Sequence, residues 1–200
     1  MTAVADRRLA QRRDLLLAAD RVIRRRGPDV SMDEIAAEAG LTKPILYRHF
    51  GHKSGLTAAL AERYMKRFYA EVDELLDAEP HPRRRIAVGV EVFLRAVERE
   101  PEVFRFLRRV TTQEREAAEA VAIVVHDHAS RIARVTRRDF ERIGFDGDAA
   151  DPLAYGIIGM MQFVATWWLD TRAVSREWLV DHITALLWEG FGHIHESAGS

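Results

Sequence analysis

The chain has 200 residues, 48% hydrophobic and 30% charged, with 12 Gly, 6 Pro and no Cys; a chain of this size and balance can bury a real core, which excludes disordered, collagen-like and linker-like classes. Without cysteine there can be no disulfide framework, thiolate zinc site, iron–sulfur cluster or cysteine nucleophile. The net charge of −1 conceals an asymmetry, with residues 1–54 at +4 and residues 55–200 at −5, and a basic first quarter suits a polyanionic partner.

In chain order the hydrophobic period is helical almost everywhere, and no stretch alternates as a half-buried strand does, so the fold class is all-α. The Arg-rich opening, Arg7 to Arg13, is not followed by an apolar run ending in a small-residue cleavage site, so no signal peptide is expected and the expected location is cytoplasmic. A first helix spans about Arg7 to Arg26, with Leu9, Leu16, Ala19 and Ile23 inward. Arg24, Arg25 and Arg26 complement its C-terminal dipole, and Gly27 and Pro28 stop it. Ser31 and Glu34 have the spacing of a capping box, Gly40 breaks the short helix they open, and Thr42 can cap the next, from Lys43 to about Phe50.

A long helix follows from about His52, carrying Leu56, Leu60, Tyr64, Phe68, Val72 and Leu75, until Pro80 and Pro82 end it. Helices are then expected near Arg83–Arg99, from Pro101 onward, and near Gln113–Ile143, closed by Gly144. The last of these places Val121, Val125, His128, Ile132 and Val135 along one seam. Asp151 and Pro152 read as cap and first residue of a helix uncharged through Leu169. That stretch is only just long enough to span a bilayer, and with Gln162, Thr166 and acidic flanks it reads as a helix buried in protein, with no membrane partner expected. Ser175 opens the final helix, with Leu179, Ile183, Leu186 and Phe191 inward.

Two short helices joined by Ala39-Gly40-Leu41 have the spacing of a helix-turn-helix, where small Ala39 permits close approach and Gly40 supplies a positive φ. The free face of the second helix offers Lys43, Pro44, Tyr47, Arg48 and His49, groups suited to phosphates and base edges. Such a pair can also be a plain helical corner, with Tyr47 and His49 as half-buried aromatics and Lys53 as a solvated charge.

The stretch SMDEIAAEAGLTKPILYRHFGHKSGL resembles the DNA-binding signature of the tetracycline-repressor (TetR) family of transcriptional regulators, through Ile35-Ala36, Ala39-Gly40, Thr42, Tyr47, His49-Phe50, Lys53 and Leu56. Beyond residue 60 the likeness lies in length and helix order. The resemblance implies a ligand-responsive homodimer on palindromic double-stranded operator DNA, most often a repressor, with residues 1–54 as DNA-binding domain and 55–200 for ligand and dimerisation. It also implies Lys43, Pro44, Tyr47 and His49 as recognition contacts, and Thr42 and Lys53 as phosphate anchors. Two residues depart from the pattern. Ile45 stands where Thr is common, which substitutes an apolar contact, as to a thymine methyl, for a hydrogen bond. Gly55 stands where an acidic residue is common, which by propensity weakens the long helix by about 0.5–1 kcal/mol and loosens the hinge.

Sites between helices are mostly apolar with few polar handles. Phe68, Phe93, Phe104, Leu107, Val125, Met161 and Trp168 are the candidate wall of an effector site for an apolar small molecule, with His128 as its polar residue; core packing is the competing reading for each. Gly156, Gly159, Phe163 and Trp167, together with Trp178, Ile183, Leu186 and Phe191, are the candidate dimer seam, with an intrachain core as the alternative. His193 and His195 point apart on a helix, so no metal ligation is expected, and no cofactor is implied. Two other functional classes stay open at this point: a helical dimerisation or scaffold module without DNA binding, and a small helical enzyme suggested only by His126-Asp127-His128. The chain has no glycine-rich phosphate loop, Gly-x-Ser-x-Gly elbow or His-Glu-x-x-His.

Overall fold

The computed structural model describes residues 2–142 and 146–197. Among these the order is α1 (Thr2–Arg26), α2 (Met32–Glu38), α3 (Lys43–Phe50), α4 (Lys53–Asp77), α5 (Pro82–Arg99), α6 (Pro101–Gln113), α7 (Arg115–Arg142), a 3-10 turn (Gly147–Ala149), α8 (Ala150–Thr171) and α9 (Arg176–Ser197). No strand occurs among the described residues, and no helix there is long and apolar enough to cross a membrane.

The chain packs as two compact units. One joins Met1–Met65 to Glu100–Val124, and the other joins Lys66–Arg99 to Val125–Ser200. The first unit therefore holds α6 and the start of α7 beside the helix-turn-helix, a remote segment that a boundary at residue 54 leaves out. Its core brings Leu15, Ala19 and Ile23 of α1 onto Ile35, Leu46, Phe50, Leu56 and Leu60, and closes them with Val103, Phe106 and Val110 of α6. In the second unit Val90 and Leu94 of α5 meet Met161 and Trp168 of α8 and Leu179 and Ile183 of α9. A separate seam of small residues, Ala129 and Ala133 against Ala150 and Ala154, packs α7 on α8 and takes in Val125 and Ile132.

Several local expectations are corrected. Leu9 is 66% exposed, on the outer side of α1, and Leu75, Val135 and Leu186 are exposed as well; the helical period placed them on apolar stripes without saying how far along each stripe a neighbouring helix reaches. Asp146 caps a 3-10 turn, its side chain accepting from the Asp148 N–H, and the N-cap position of α8 is held by Ala149, not by Asp151. The 3-10 turn there leads directly into α8 at Ala150, one residue before the acid expected to cap it. Gly144 and the side chains of Phe191, His193 and His195 lie outside the described residues.

Candidate nucleic-acid interface

The corner is built from local chemistry. The Ser31 side chain accepts from the Glu34 N–H while the Glu34 carboxylate accepts from the Ser31 N–H at 2.8 Å, the full capping box, so the short α2 starts at a defined residue. After Ala39, Gly40 turns the chain at φ +66°, a conformation that a Cβ disfavours, and the Leu41 N–H closes back on the Ala36 carbonyl at 2.9 Å. Thr42 holds the N-cap position of α3, but its side chain makes no cap hydrogen bond, and Pro44 occupies the first turn. The Thr42 hydroxyl is therefore not committed to the helix.

Leu46 and Phe50 bury one face of α3 in the core. Thr42, Pro44 and Arg48 are exposed, whereas Lys43, Ile45, Tyr47 and His49 are half-buried. Tyr47 packs partly on the core and sets its ring 6.3 Å from that of His52. Neither lysine is bare. Lys43 Nζ donates to Asp33 Oδ2 of α2 at 2.7 Å, which raises its pKa. Lys53 Nζ donates to Glu114 Oε1 at 2.7 Å, from the α6–α7 corner. His49 Nε2 lies 3.1 Å from Gln11 Oε1 of α1, and the guanidinium of Arg12 sits 4.9 Å over the Phe50 ring. Burial, then the positive charges of Arg48, Arg8 and Arg12, lower the His49 pKa, so a neutral imidazole sits in a cationic surround. Such a surface can draw in a polyanion and present α3 to base edges. The reading from sequence missed Gln11, Arg12 and Glu114. The first two could have been found one turn before Leu15 and Leu16 on the same helix; nothing local marks Glu114, 61 residues from its lysine.

The residues singled out as an effector wall fall into separate groups. Phe68 meets His128 edge-on with ring centroids 5.7 Å apart, and the Tyr69 hydroxyl bonds His128 Nδ1. Burial pushes the tyrosine up to about 12 and the histidine, with Arg131 adding to the effect, down to about 4; the phenol therefore keeps its proton and donates, and the imidazole is neutral. Arg131 lies 3.9 Å over the Tyr69 ring and pairs with Asp73. Phe93, Met161 and Trp168 belong to the α5–α8–α9 core, and Val125 to the α7–α8 seam. Trp168 Nε1 donates to the Val174 carbonyl at 2.8 Å, which ties down the end of α8. Phe104 and Leu107 belong to α6 in the first unit, where Leu107 packs on the head core.

On α8 a stripe faces outward: Tyr155, Gly156, Phe163 at 73% exposure and Trp167, with half-buried Gly159 on the same side. A Cβ at Gly156 or Gly159 would meet nothing within 4 Å. On α9, Trp178 and Leu186 are exposed, and Trp178 stacks on His182 at 3.7 Å. Ile183 departs from this set, because it is buried in its own chain's core, and the Phe191 side chain is outside the described residues. The triplet His126-Asp127-His128 does not converge, since His126 Nδ1 pairs outward with the Tyr155 hydroxyl at 2.6 Å while His128 faces Tyr69.

Residues 15–60 match the family described as bacterial regulatory proteins, tetR family, and residues 71–200 match the tetracyclin repressor-like C-terminal domain. The chain is 29% identical over 194 residues to the uncharacterized HTH-type transcriptional regulator Rv0472c of Mycobacterium tuberculosis (strain ATCC 25618 / H37Rv), covering 96% of this chain and 82% of that protein. It is 28% identical over 194 residues to the HTH-type transcriptional activator FasR of Mycolicibacterium smegmatis, covering 92% and 84%. Among solved structures, a TetR-family regulator from Rhodococcus sp. superposes with a TM-score of 0.71 at 21% identity, over 89% of this chain and 97% of the other. The fatty acid degradation regulator FadR from Bacillus halodurans gives 0.70 at 18% identity, over 88% and 94%.

Proposed function

Because the chain belongs to the TetR family of helix-turn-helix transcriptional regulators, which are not enzymes, we propose that it is a homodimeric, ligand-responsive repressor that reads a palindromic operator through α3. The observation that supports the DNA reading is the capped α2–turn–α3 corner, where α3 exposes Pro44 and Arg48 beside half-buried Lys43, Ile45, Tyr47 and His49, with Thr42 and Lys53 at its edges. Residues 1–54 supply the DNA face in this reading, and residues 55–200 supply the ligand and dimer surfaces. A regulator of this kind works in the cytoplasm, where bacterial DNA lies.

One recognition helix reads one half-site, so two copies are needed, with half-sites spaced by one helical turn of roughly 34–36 Å or a multiple of it. The outward stripe of α8 with Trp178 and Leu186 of α9 supports self-association there, because an exposed apolar strip of this kind is costly in a monomer. The effector is proposed to be largely apolar with one polar group, an acyl chain, steroid-like lipid or aromatic compound, and Phe68 with His128 supplies the aromatic wall and polar handle. FasR, a relative named as an activator, favours a second reading in which the bound protein recruits transcription; placing the enriched fragments before a reporter separates the two by the sign of the response.

The testing experiment is duplex binding by the purified chain on genomic fragments it enriches. Lys53→Ala weakens cognate and random duplexes alike and lowers the log–log salt slope by about 1, and Lys43→Ala costs about 1–3 kcal/mol mainly on the cognate site. Equal loss on both duplexes makes Lys43 a phosphate anchor, and no binding at all removes the DNA reading.

A further inference from the structure

The carboxylates that hold Lys43 and Lys53 differ in origin. Asp33 belongs to the helix-turn-helix itself. Glu114 is the residue between α6 and α7, where the backbone leaves the helix at φ −123° and ψ 111°. Its pair with Lys53 is partly open, with side chains 39% and 31% exposed.

Lys53 is the first residue of α4, whose first turn carries no acid. A cation there faces the positive end of the helix dipole, so an anion brought to it is favoured twice, by the ammonium and by the unpaired N–H groups of the first turn. A DNA phosphate is one such anion. The Glu114 carboxylate is another, and it is already at 2.7 Å.

The pair is not needed to fasten α6 to the head. Val103, Phe106 and Val110 already bury α6 in the core, Arg24 Nη2 lies 2.7 Å from the buried Glu100 carboxylate at its start, and Arg109 pairs with Asp29 along its length. A half-exposed lysine–carboxylate pair adds little stability beyond these.

We propose that Glu114 competes with the DNA backbone for Lys53, so that binding a duplex exchanges its carboxylate for a phosphate and the position of the α6–α7 corner sets the strength of this anchor. The inference rests on the reading of Lys53 as a phosphate anchor. It gives the head a negative regulator drawn from its own chain, at a corner from which α7 runs on to His128.

The test uses the full chain and a random-sequence duplex, with binding followed by fluorescence anisotropy and folding by thermal denaturation. Glu114→Gln tightens binding about two- to fivefold, the scale of an exposed ion pair, and this gain disappears in the Lys53→Ala background. Glu116→Gln, which removes the same charge two residues away, does not reproduce it. Glu114→Asp keeps the charge, withdraws it by one methylene and moves affinity in the same direction, which covers the case in which Gln disturbs the corner. The proposal is overturned if Glu114→Gln binds no tighter, if its gain survives without Lys53, or if Glu116→Gln matches it. Unchanged binding by Lys53→Ala overturns the phosphate-anchor reading as well, whereas weakened binding there with no response to Glu114→Gln overturns the competition alone.

Discussion

Gly55 shows how a single residue changes meaning when its neighbours are known. Helix propensity makes it a weak point in the first turn of α4, yet a Cβ at this position would stand 2.0 Å from the Phe50 carbonyl oxygen. The close passage of α3 over α4 requires the glycine. Gly55→Ala therefore destabilises by about 1–3 kcal/mol through overpacking, where propensity alone would stabilise by about 1 kcal/mol; thermal denaturation gives the sign. His128 carries a second prediction. Its pKa of about 4 lies below the ordinary 6.5, so between those values the unfolded chain binds a proton that the native state excludes. Stability from this group is complete above pH 6.5 and is lost as the pH falls toward 4, by at most about 3 kcal/mol. Urea unfolding of the parent and of His128→Gln at pH 7 and pH 4.5 checks it; the variant shows a pH dependence shallower by about one proton, and an unchanged slope removes the buried neutral histidine.

α8 illustrates what an element's composition leaves open. Its uncharged stretch is apolar on two sides for two reasons. Ile158, Met161, Ala165 and Trp168 turn into their own unit, while Tyr155, Phe163 and Trp167 turn out. Burial within a chain and, in the proposed dimer, burial against another copy call for the same side chains, so hydrophobicity alone could not divide the helix. Phe163→Glu puts a charge on the outer stripe, at a side chain 73% exposed. It should weaken self-association at least about tenfold, or about 1.4 kcal/mol, with the unfolding midpoint of the protomer unchanged. Sedimentation over a concentration series measures it, and an unaltered dimer places the seam elsewhere. α6 makes the complementary point: Val103, Phe106 and Val110 give it an ordinary amphipathic face, and nothing in that face names α1 as its partner.

For the whole molecule, the proposed function requires that ligand and operator be linked. If an apolar effector releases DNA, the coupling has the usual scale of about 1–3 kcal/mol and must be reciprocal: operator DNA weakens ligand binding by the factor by which ligand weakens DNA binding. Titrating an acyl, steroid-like or aromatic effector against the free and the operator-bound protein tests this, and unequal factors rule out a simple two-state linkage. Phe68→Ala is the sharper probe of the ligand side. It reduces the response and spares operator affinity, whereas Trp168→Ala removes a ring buried in the second unit's core.

Legible in the sequence is the local part: nine helices among the described residues, the capping box of Ser31 and Glu34, and the turn at Gly40. Each depends on residues within one or two turns of each other, where spacing and backbone chemistry suffice. The rest, set by tertiary contacts, joins residues far apart in the chain: α6 closing the core of the first unit, Glu114 holding Lys53, Tyr69 bonding His128 across 59 positions, and the outward face of α8. Hydrophobic periodicity tells each helix that it must bury a face; which helix covers that face, and which charge meets which, follows from packing the whole chain at once.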